Sequence, residues 1–531
     1  MVKDVVIVGG GTAGWLTAAY LARTLAAKAP EGARITLVES PDIGILGVGE
    51  GTFPSIRTTL QRIGIDEAHF LRESSATFKQ GIRFDNWQVA PGDKGRDHYF
   101  HPFQSAQMRG ELDLLPYWLQ GCAGDVGWDE AITLQKRTAD AHLAPKRLQD
   151  PNYSGPMNYA YHFDAVRFSQ LLRWAAKELG VTHITDKVTG VRQHEDGSIA
   201  AVATGEHGEL TGDFFIDCSG FRAELIGKAL GEPFKSCTDV LFCDRAIAIQ
   251  TPYDRPDAPI ASYTISAAQP AGWVWDIGLE ERRGVGHVYS SAHMDDEEAE
   301  RTLRRYIGPQ AEALSARSFK FHAGHREKSW VKNCVAVGLS GGFFEPLEAT
   351  GIVFIEVSAI LIANLFPWSG EMETSARQFN EIMAKRYRHA TDFLKLHYCL
   401  TERTDTDFWR DNADPRTIPD SLQELLQRWR HRPPETMDFD MNYHSFSDGS
   451  WQFVLYGMGY KTDLRPRAAT YSQHEQAKAK FAEIRRQAEM AERALPTHRE
   501  LISAVYRGGF QQPQPRSASP HLDASRAFRL V

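Results

Sequence analysis

The stretch VVIVGGGTAGW, residues 5–15, constrains the fold of this chain more than any other segment. Four apolar residues precede a Gly-x-Gly-x-x-Gly spacing, which opens a helix that we place over roughly Thr12–Leu25. A further apolar run, Arg34–Glu39, completes a β-α-β unit. Glycines at this spacing permit a tight turn and let the backbone approach a pyrophosphate at the helix N-terminus. We predict that five residues of this turn bind a dinucleotide: Gly9, Gly11, Thr12, Ala13 and Gly14.

Glu39 favours a dinucleotide site over a glycine turn that serves only helix–strand packing. It ends the second strand, 25 residues after Gly14, where a carboxylate can accept hydrogen bonds from ribose hydroxyls. Two later strand–turn segments, at 216–220 and 335–342, indicate a fold that returns twice to one extended cofactor. We therefore predict FAD rather than NAD. Because the sequence has no second Gly-x-Gly-x-x-Gly motif, the electrons are expected to come from a diffusible donor.

Composition narrows the classes of function. The chain has 531 residues and a formal net charge of −8, which argues against a general binder of nucleic acids or anionic membranes. Its six cysteines show no Cys-x-x-Cys spacing, so we expect no disulfide framework, no metal site and a cytoplasmic location. The uncharged run Val5–Ala22 could be taken for a signal or membrane segment, but its glycines favour a strand followed by a helix.

The rest of the chain alternates buried strands, aromatic-rich segments and helices. We expect buried strands at Asp213–Cys218 and Asn333–Val337, since both are short apolar runs before glycine-bearing turns. Gly351–Phe366 is apolar on nearly every side, which predicts a buried helix. His474–Ala494 has the pattern of a polar amphipathic helix.

Lys79 lies in the segment TFKQGIRFDNW, residues 77–87. As one strand, this segment would place Phe78 and its alternate neighbours on one face and Lys79 with Arg83 on the other. A lysine in such a position, taken alone, is typical of a solvated sheet edge.

Glu348 lies in FFEPLEATG, residues 343–351, directly before the predicted buried helix. The free N–H groups at Thr350 and Gly351 and the helix dipole would form a pocket for a small anion. The simpler interpretation is a capping threonine with a glutamate that pairs with the dipole.

Two tryptophans in GWVWDIGL, residues 272–279, stand two positions apart. In a strand, Trp273 and Trp275 share a face and form one aromatic wall. The alternative is that both rings simply fill a core.

In this order along the chain, seven motifs resemble those of flavin-dependent halogenases of the tryptophan-halogenase type. They are GGGTAGW, GVGEGTFPSI, FKQGIRF, HPF, WVWDI, FFEPLEATGI and WQFVLYGMG. The resemblance covers roughly residues 1–460 in register. It implies an α/β fold of the FAD-binding Rossmann type, similar to flavin monooxygenases, with an inserted mixed sheet and a C-terminal helical substrate-binding region. The expected parts are a box-like FAD domain at 1–370, a mainly helical pyramid-like region at 371–510 and a flexible tail at 511–531.

The resemblance also implies roles for individual residues. FADH2 from a separate flavin reductase, O2 and a halide bound at Thr350 and Gly351 would give hypohalous acid. A tunnel would bring this oxidant to Lys79, which holds it by a hydrogen bond or as a haloamine, and Glu348 would remove the arene proton. The tryptophan wall would keep the arene from the flavin. Further cofactor contacts are expected at Val48, Gly49 and Gly338, and substrate contacts at His101, Pro102, Phe103 and Trp451.

The sequence departs from the family pattern in two places. Gly278 stands where family members usually have a proline after the tryptophan pair. Tryptophan-specific members carry a tyrosine pair and a glutamate that hold the amino-acid group, whereas here Tyr443 is followed by His444 and no glutamate precedes Trp451. We therefore expect an indole or similar electron-rich arene, including larger derivatives, and leave the choice of chloride or bromide open.

Two other functions remain open from the sequence. An aromatic flavin monooxygenase would share the FAD fold but would not explain Lys79, Glu348 and the tryptophan wall together. A non-catalytic flavin-binding scaffold or sensor would require none of them. A homodimer is compatible with either class of function.

Overall fold

A computed structural model describes residues 1–42, 44, 47, 49–103, 112–440 and 445–511. Their strands are β1 (Asp4–Val8), β2 (Arg34–Glu39), β3 (Gly49–Gly51), β4 (Thr77–Lys79), β5 (Gly81–Asp85), β6 (His98–Pro102), β7 (Ala160–Asp164), β8 (Thr182–Thr185), β9 (Val188–Gln193), β10 (Ile199–Thr204), β11 (Glu209–Thr211), β12 (Phe214–Asp217), β13 (Phe234–Ser236), β14 (Arg245–Pro252), β15 (Thr264–Gln269), β16 (Gly272–Gly278), β17 (Arg282–Tyr289), β18 (Ala316–Lys320), β19 (Gly324–Arg326), β20 (Trp330–Val331), β21 (Cys334–Ala336) and β22 (Gly342–Phe343). Their α-helices are α1 (Thr12–Thr24), α2 (Ile56–Ile63), α3 (Glu67–Glu73), α4 (Leu115–Leu119), α5 (Trp128–Ile132), α6 (Gln135–Asp140), α7 (Ala165–Glu178), α8 (Asp296–Ile307), α9 (Thr350–Asn364), α10 (Glu373–Cys399), α11 (Asp407–Ala413), α12 (Asp420–Arg428), α13 (Asp448–Gly457), α14 (His474–Ala494) and α15 (His498–Gly508).

A six-stranded sheet forms the nucleotide-binding part, with the order β20-β21-β12-β1-β2-β8. The pairs from β21 to β8 are parallel, so the carboxyl ends of these strands meet at one edge of the sheet. Ligands of open α/β sheets bind at that edge. The predicted β-α-β unit is present as β1, α1 and β2, and the two later apolar runs form β12 and β21 of the same sheet. The predicted α/β fold class is confirmed.

The predicted strand through Lys79 is wrong as a single element. The chain forms β4 up to Lys79 and β5 from Gly81, and these strands belong to different sheets. β4 lies at the edge of a three-stranded sheet ordered β3-β7-β4, whereas β5 belongs to a seven-stranded sheet ordered β18-β14-β17-β16-β15-β5-β6. Between them, the backbone N–H of Gln80 donates to the Ser262 carbonyl oxygen at 2.7 Å. This break places Lys79 where the two sheets meet.

Helices complete the fold after β22. The predicted buried helix is α9, and most of its side chains are buried. Among the described residues, the segment Leu347–Asn364 alone is long and apolar enough to cross a membrane, but most of it is buried inside the protein, as in a core helix. One hydrophobic core joins residues from Val2 to Val505. The division at residue 370 falls between α9 and α10 and stays a prediction.

Some residues singled out in the sequence lie outside the described residues. These are Val48, Tyr443, His444 and residues 512–531.

Candidate active site

Loops at the carboxyl edge of the parallel sheet converge on the glycine motif. A Cβ atom on Gly9 would lie 2.2 Å from the Cys218 carbonyl oxygen, and one on Gly338 would lie 2.8 Å from the Cβ of Ala13. Both glycines have positive φ, 115° and 72°, which strains any other residue. A Cβ on Gly11 would meet nothing within 4 Å. The backbone there is thus open to a pyrophosphate, as the motif requires.

Glu39 lines a cavity of about 270 Å³ beside this motif. Its Oε1 lies 2.8 Å from Nε2 of His183 and 3.6 Å from Nη1 of Arg173, and its Oε2 accepts from Nε1 of Trp15 at 3.4 Å. These donors fix the carboxylate at the end of β2, where a ribose would contact it. The cradle and the cavity therefore fit the nucleotide half of FAD. Gly49, also predicted to contact the cofactor, begins β3. A Cβ added there would lie 3.5 Å from Cγ2 of Ile277.

Lys79 is buried, with 1% of its surface exposed. Its Nζ lies 5.2 Å from the ring centre of Phe103, and a Cβ on Gly51 would come within 3.1 Å of it. Burial lowers the pKa of Lys79 to about 8, and the negative charge of Glu348 offsets part of that effect. The interpretation of Lys79 as a solvated edge residue is wrong, because Gly51, Phe103 and neighbouring strands enclose its ammonium group.

Glu348 occupies a strained turn just before α9. It has φ 61° and Ala349 has φ 54°, so two consecutive non-glycine residues adopt the left-handed conformation, which is costly and concentrates at functional sites. Oε1 of Glu348 receives hydrogen bonds from His101 Nδ1 at 2.8 Å and His397 Nε2 at 3.0 Å. Burial alone would raise the pKa of Glu348, but these two histidines lower it to about 2. The carboxylate is thus ionised at any working pH.

The second carboxylate oxygen of Glu348, Oε2, is buried and accepts no hydrogen bond from the described residues. Glu348 and Lys79 form no ion pair, because the ammonium nitrogen lies more than 4.0 Å from both carboxylate oxygens. The charge of Glu348 nevertheless affects the pKa of Lys79. The two groups are therefore close enough to interact electrostatically without forming an ion pair. A buried, unpaired carboxylate oxygen can accept a proton or a hydrogen bond from a bound molecule.

The N-terminus of α9 has the features expected of a small-anion site. Its N-cap is Ala349, and no side chain caps the helix. The interpretation of Thr350 as the capping residue is therefore wrong, because Thr350 is already the first helical residue. The N–H groups of the first turn have no partner within the helix, and a Cβ on Gly351 would meet nothing within 4 Å. Thr350 itself is buried.

Aromatic rings lie beside both Lys79 and Glu348. His101, Pro102 and Phe103 follow one another at the end of β6 and lie next to the two charged groups. Trp451 is fully buried and lies farther back, with its ring centre 5.0 Å from Phe393. Phe393 in turn lies 5.9 Å from the ring of His101. His101 and Trp451 thus belong to one aromatic cluster, joined through Phe393.

Trp273 and Trp275 lie side by side on β16, as their spacing predicts. Their ring centres are 6.4 Å apart and both side chains are buried. Nε1 of Trp273 donates to Oε2 of Glu345 at 3.0 Å. Trp275 lies over Gly286 of β17, where a Cβ would come within 2.2 Å of the indole ring. A hydrogen bond thus fixes the ring of Trp273, and the absence of a side chain at Gly286 leaves room for the ring of Trp275.

Sequence reasoning missed the contribution of α10. Two consecutive residues of this helix hold the two carboxylates of the FFEPLEATG segment: His397 contacts Glu348, and Tyr398 donates to Glu345 Oε2 at 2.8 Å. Burial raises the pKa of Glu345 to about 7. The spacing of the two glutamates was visible in the motif, but nothing in the sequence of α10 marked His397 and Tyr398 as their partners.

Comparison with known proteins identifies the family to which this arrangement belongs. The sequence model of the tryptophan halogenase family matches residues 4–473. The chain belongs to the tryptophan halogenase family. The family predicted from the motifs is therefore confirmed, and the protein is an enzyme, a flavin-dependent halogenase.

Individual relatives cover nearly the whole halogenase chain. It is 37% identical to the tryptophan 6-halogenase of Streptomyces toxytricini over 94% of this chain and 98% of that protein. The crystal structure of a tryptophan halogenase from Shewanella frigidimarina has a TM-score of 0.92 and 42% identity, covering 96% of this chain and 98% of that one. A tryptophan C-6 flavin-dependent halogenase of taromycin biosynthesis has a TM-score of 0.88 and 38% identity, covering 95% and 99%.

Proposed function

We propose that this halogenase chlorinates or brominates an electron-rich aromatic ring, an indole or an indole derivative, at one position. The observation that carries the proposal is the pair formed by Lys79 and Glu348. Both groups are buried and electrostatically coupled, with no ion pair between them and aromatic rings around them. Relatives named tryptophan halogenases support an indole as the ring.

The first stage makes the oxidant at the N-terminus of α9. The glycine motif and Glu39 would hold FADH2 delivered by a separate reductase, which would supply the two electrons needed to form hypohalous acid and water from O2, a halide and a proton. The first-turn N–H groups at Thr350 and Gly351 hold the halide, because an anion there compensates the unpaired donors and the helix dipole.

The second stage transfers the halogen at Lys79. The ammonium group donates a hydrogen bond to the oxygen of hypohalous acid and makes the halogen more electrophilic. The ring carbon bonds to the halogen as the halogen–oxygen bond breaks, and the oxygen takes a proton from the Lys79 ammonium and leaves as water. Oε2 of Glu348 then takes the proton from the same ring carbon, and transfer of that proton to the Lys79 amine restores both groups. The sum converts a C–H bond and hypohalous acid to a C–halogen bond and water.

Trp273 and Trp275 separate the two stages. The packed indoles leave room for a small oxidant but keep the arene away from the flavin, where it would be open to hydroxylation. The rings of His101 and Phe103 position the arene by stacking. Because the amino-acid clamp of tryptophan-specific relatives is incomplete in this sequence, indole derivatives without a free amino-acid group are included among the proposed substrates.

Mass spectrometry of the product tests this proposal. The enzyme is incubated with FAD, a flavin reductase, NADH and a panel of indoles, with chloride and bromide in parallel. The proposal predicts a product that gains one halogen and loses one hydrogen. A product that gains oxygen without a requirement for halide would overturn the proposal in favour of an aromatic monooxygenase.

A further inference from the structure

The backbone on both sides of Lys79 is held by groups outside its own sheet. Lys79 ends the edge strand β4, which pairs only with β7. Before it, the N–H of Phe78 donates to Nε2 of His498 at 2.9 Å. After it, the N–H of Gln80 donates to the carbonyl oxygen of Ser262 at 2.7 Å. The position of Lys79 therefore depends on two hydrogen bonds that connect distant parts of the chain.

His498 contacts both chain segments that hold the backbone beside Lys79. It is the first residue of α15 and is fully buried. Its Nδ1 donates to the carbonyl oxygen of Ile260 at 3.1 Å, two residues before Ser262. The imidazole thus closes a ring of contacts that passes through Phe78, Lys79, Gln80 and the 260–262 segment.

The hydrogen bonds of His498 define its protonation. Nε2 accepts from a backbone N–H, so it carries no proton, and Nδ1 must carry the one that reaches Ile260. Burial lowers the pKa of His498 to about 3. The ring is therefore neutral near pH 7, where Nε2 is available to accept from Phe78.

Other hydrogen bonds also anchor α15. Arg499 donates to the carbonyl oxygens of Ala258 and Glu280, Arg72 donates to that of Val505, and the Tyr506 hydroxyl donates to those of Leu71 and Ala76. Ala76 directly precedes β4, so among these contacts His498 alone reaches a residue within the strand of Lys79. His498 also lies beyond residues 4–473, which the family model matches.

We propose that His498 is a positioning residue for Lys79. Through Phe78, α15 sets the place of the ammonium group relative to Glu348 and so decides whether the oxidant is passed to the arene. The inference rests on the proposed role of Lys79. Its physical basis is that an error of about 1 Å in the position of a reacting group can cost about 100-fold in rate.

Three variants of His498 test the proposal. The amide of His498→Gln can overlay Nε2 and accept from Phe78, whereas that of His498→Asn overlays Nδ1 and His498→Leu offers no acceptor. Arene halogenation, flavin oxidation and free hypohalous acid trapped by a 1,3-diketone are measured for each variant. We expect the Asn and Leu variants to lose about 100-fold in kcat for the arene. They should keep its KM and flavin oxidation and divert the oxidant to the scavenger, while Gln restores most of the transfer.

Arg72→Met and Lys79→Met are the controls. Arg72→Met removes the hydrogen bond to the Val505 carbonyl oxygen at 3.4 Å and so weakens the attachment of α15 away from β4; it should lower the melting temperature and leave the partition of the oxidant unchanged. A wild-type partition in His498→Asn, or the same diversion in Arg72→Met, would overturn the inference. If His498→Leu does not fold, the Asn and Gln pair decides. If Lys79→Met still halogenates the arene, the proposed function itself fails; if only His498 proves dispensable, the inference fails alone.

Discussion

Burial of the Lys79 ammonium lowers the stability of the protein. Its pKa in the folded protein is about 8, below the ordinary 10.5, so the unfolded chain binds more protons between pH 8 and 10.5. The free energy of unfolding therefore rises with pH across that window, and the cost is fully present at pH 7.

Removing this charge should stabilise the protein. We predict that Lys79→Met raises the free energy of unfolding at pH 7 by about 1–3 kcal/mol, because the buried ammonium has no carboxylate in contact. Denaturant unfolding of both proteins at pH 7 and pH 10 checks this, and the difference should shrink at the higher pH. A variant less stable than the wild type at pH 7 would contradict the proposed cost.

The same pKa sets the pH dependence of the reaction. Glu348 is ionised across the working range, so Lys79 alone of the pair titrates there. We predict that the single-turnover rate of arene halogenation falls as pH rises through about 8, because the neutral amine is a weaker hydrogen-bond donor than the ammonium and cannot protonate the departing oxygen. Lys79→Arg keeps its charge at higher pH; if it is active, its rate should not fall there. If the rate of the wild-type enzyme stayed unchanged from pH 7 to pH 10, the ammonium would not be required.

At the scale of elements, the wall on β16 is sensitive to its neighbour β17. We predict that Gly286→Ala displaces Trp275, because the added Cβ would lie 2.2 Å from its ring. The yield of halogenated product per reduced flavin consumed should fall several-fold. Gly190→Ala on β9 is the matched control, since its Cβ meets the Cβ of Ala203 at an ordinary 3.9 Å. Equal yields in the two variants would show that the position of Trp275 does not affect how efficiently the oxidant reaches the arene.

Elements with a strong local pattern were predictable from the sequence, whereas the break at Gln80 was not. The limits of α14 match the prediction, and those of α1 and α9 differ from it by one or two residues at the ends. Their periodicity and the glycine motif are local signals. In contrast, alternation through residues 77–85 continues across Gln80, because the break is imposed by the distant Ser262 carbonyl that takes the N–H of Gln80.

At the scale of the whole molecule, a buried ionic cluster supports the sheet that carries Lys79. Glu67 pairs with Lys146 at 2.7 Å, and both side chains are fully buried. The other carboxylate oxygen of Glu67 accepts hydrogen bonds from the hydroxyls of Tyr159 and Tyr161. Tyr161 lies on β7 and pairs with Phe78 of β4. The cluster thus connects α3 to the strand next to Lys79.

Breaking this cluster should destabilise the protein strongly. We predict that Glu67→Leu lowers the free energy of unfolding by about 3–5 kcal/mol, because it leaves Lys146 buried without its carboxylate. Glu209→Gln, which breaks the exposed pair with Arg192, should cost at most about 1 kcal/mol. Chemical unfolding measures both, and losses of similar size would contradict the assigned importance of the cluster.

The site as a whole was only partly visible in the sequence. Lys79, Glu348 and His101 stood in recognisable motifs. His397 and His498 did not, because each acts through a contact with a residue far away in the chain, Glu348 and Phe78 respectively. Such partners follow from the packing of α10 and α15 onto the sheets and leave no local pattern.

The central claim is that Lys79 and Glu348 act on one oxidant and one arene. A single-turnover measurement of halogenated arene and of free hypohalous acid, made on Lys79→Met and Glu348→Gln beside the wild type, tests it most directly. We predict that both variants oxidise flavin and release hypohalous acid while halogenating the arene about 100-fold or more below the wild-type rate. Halogenation of the arene at the wild-type rate by either variant would contradict the claim.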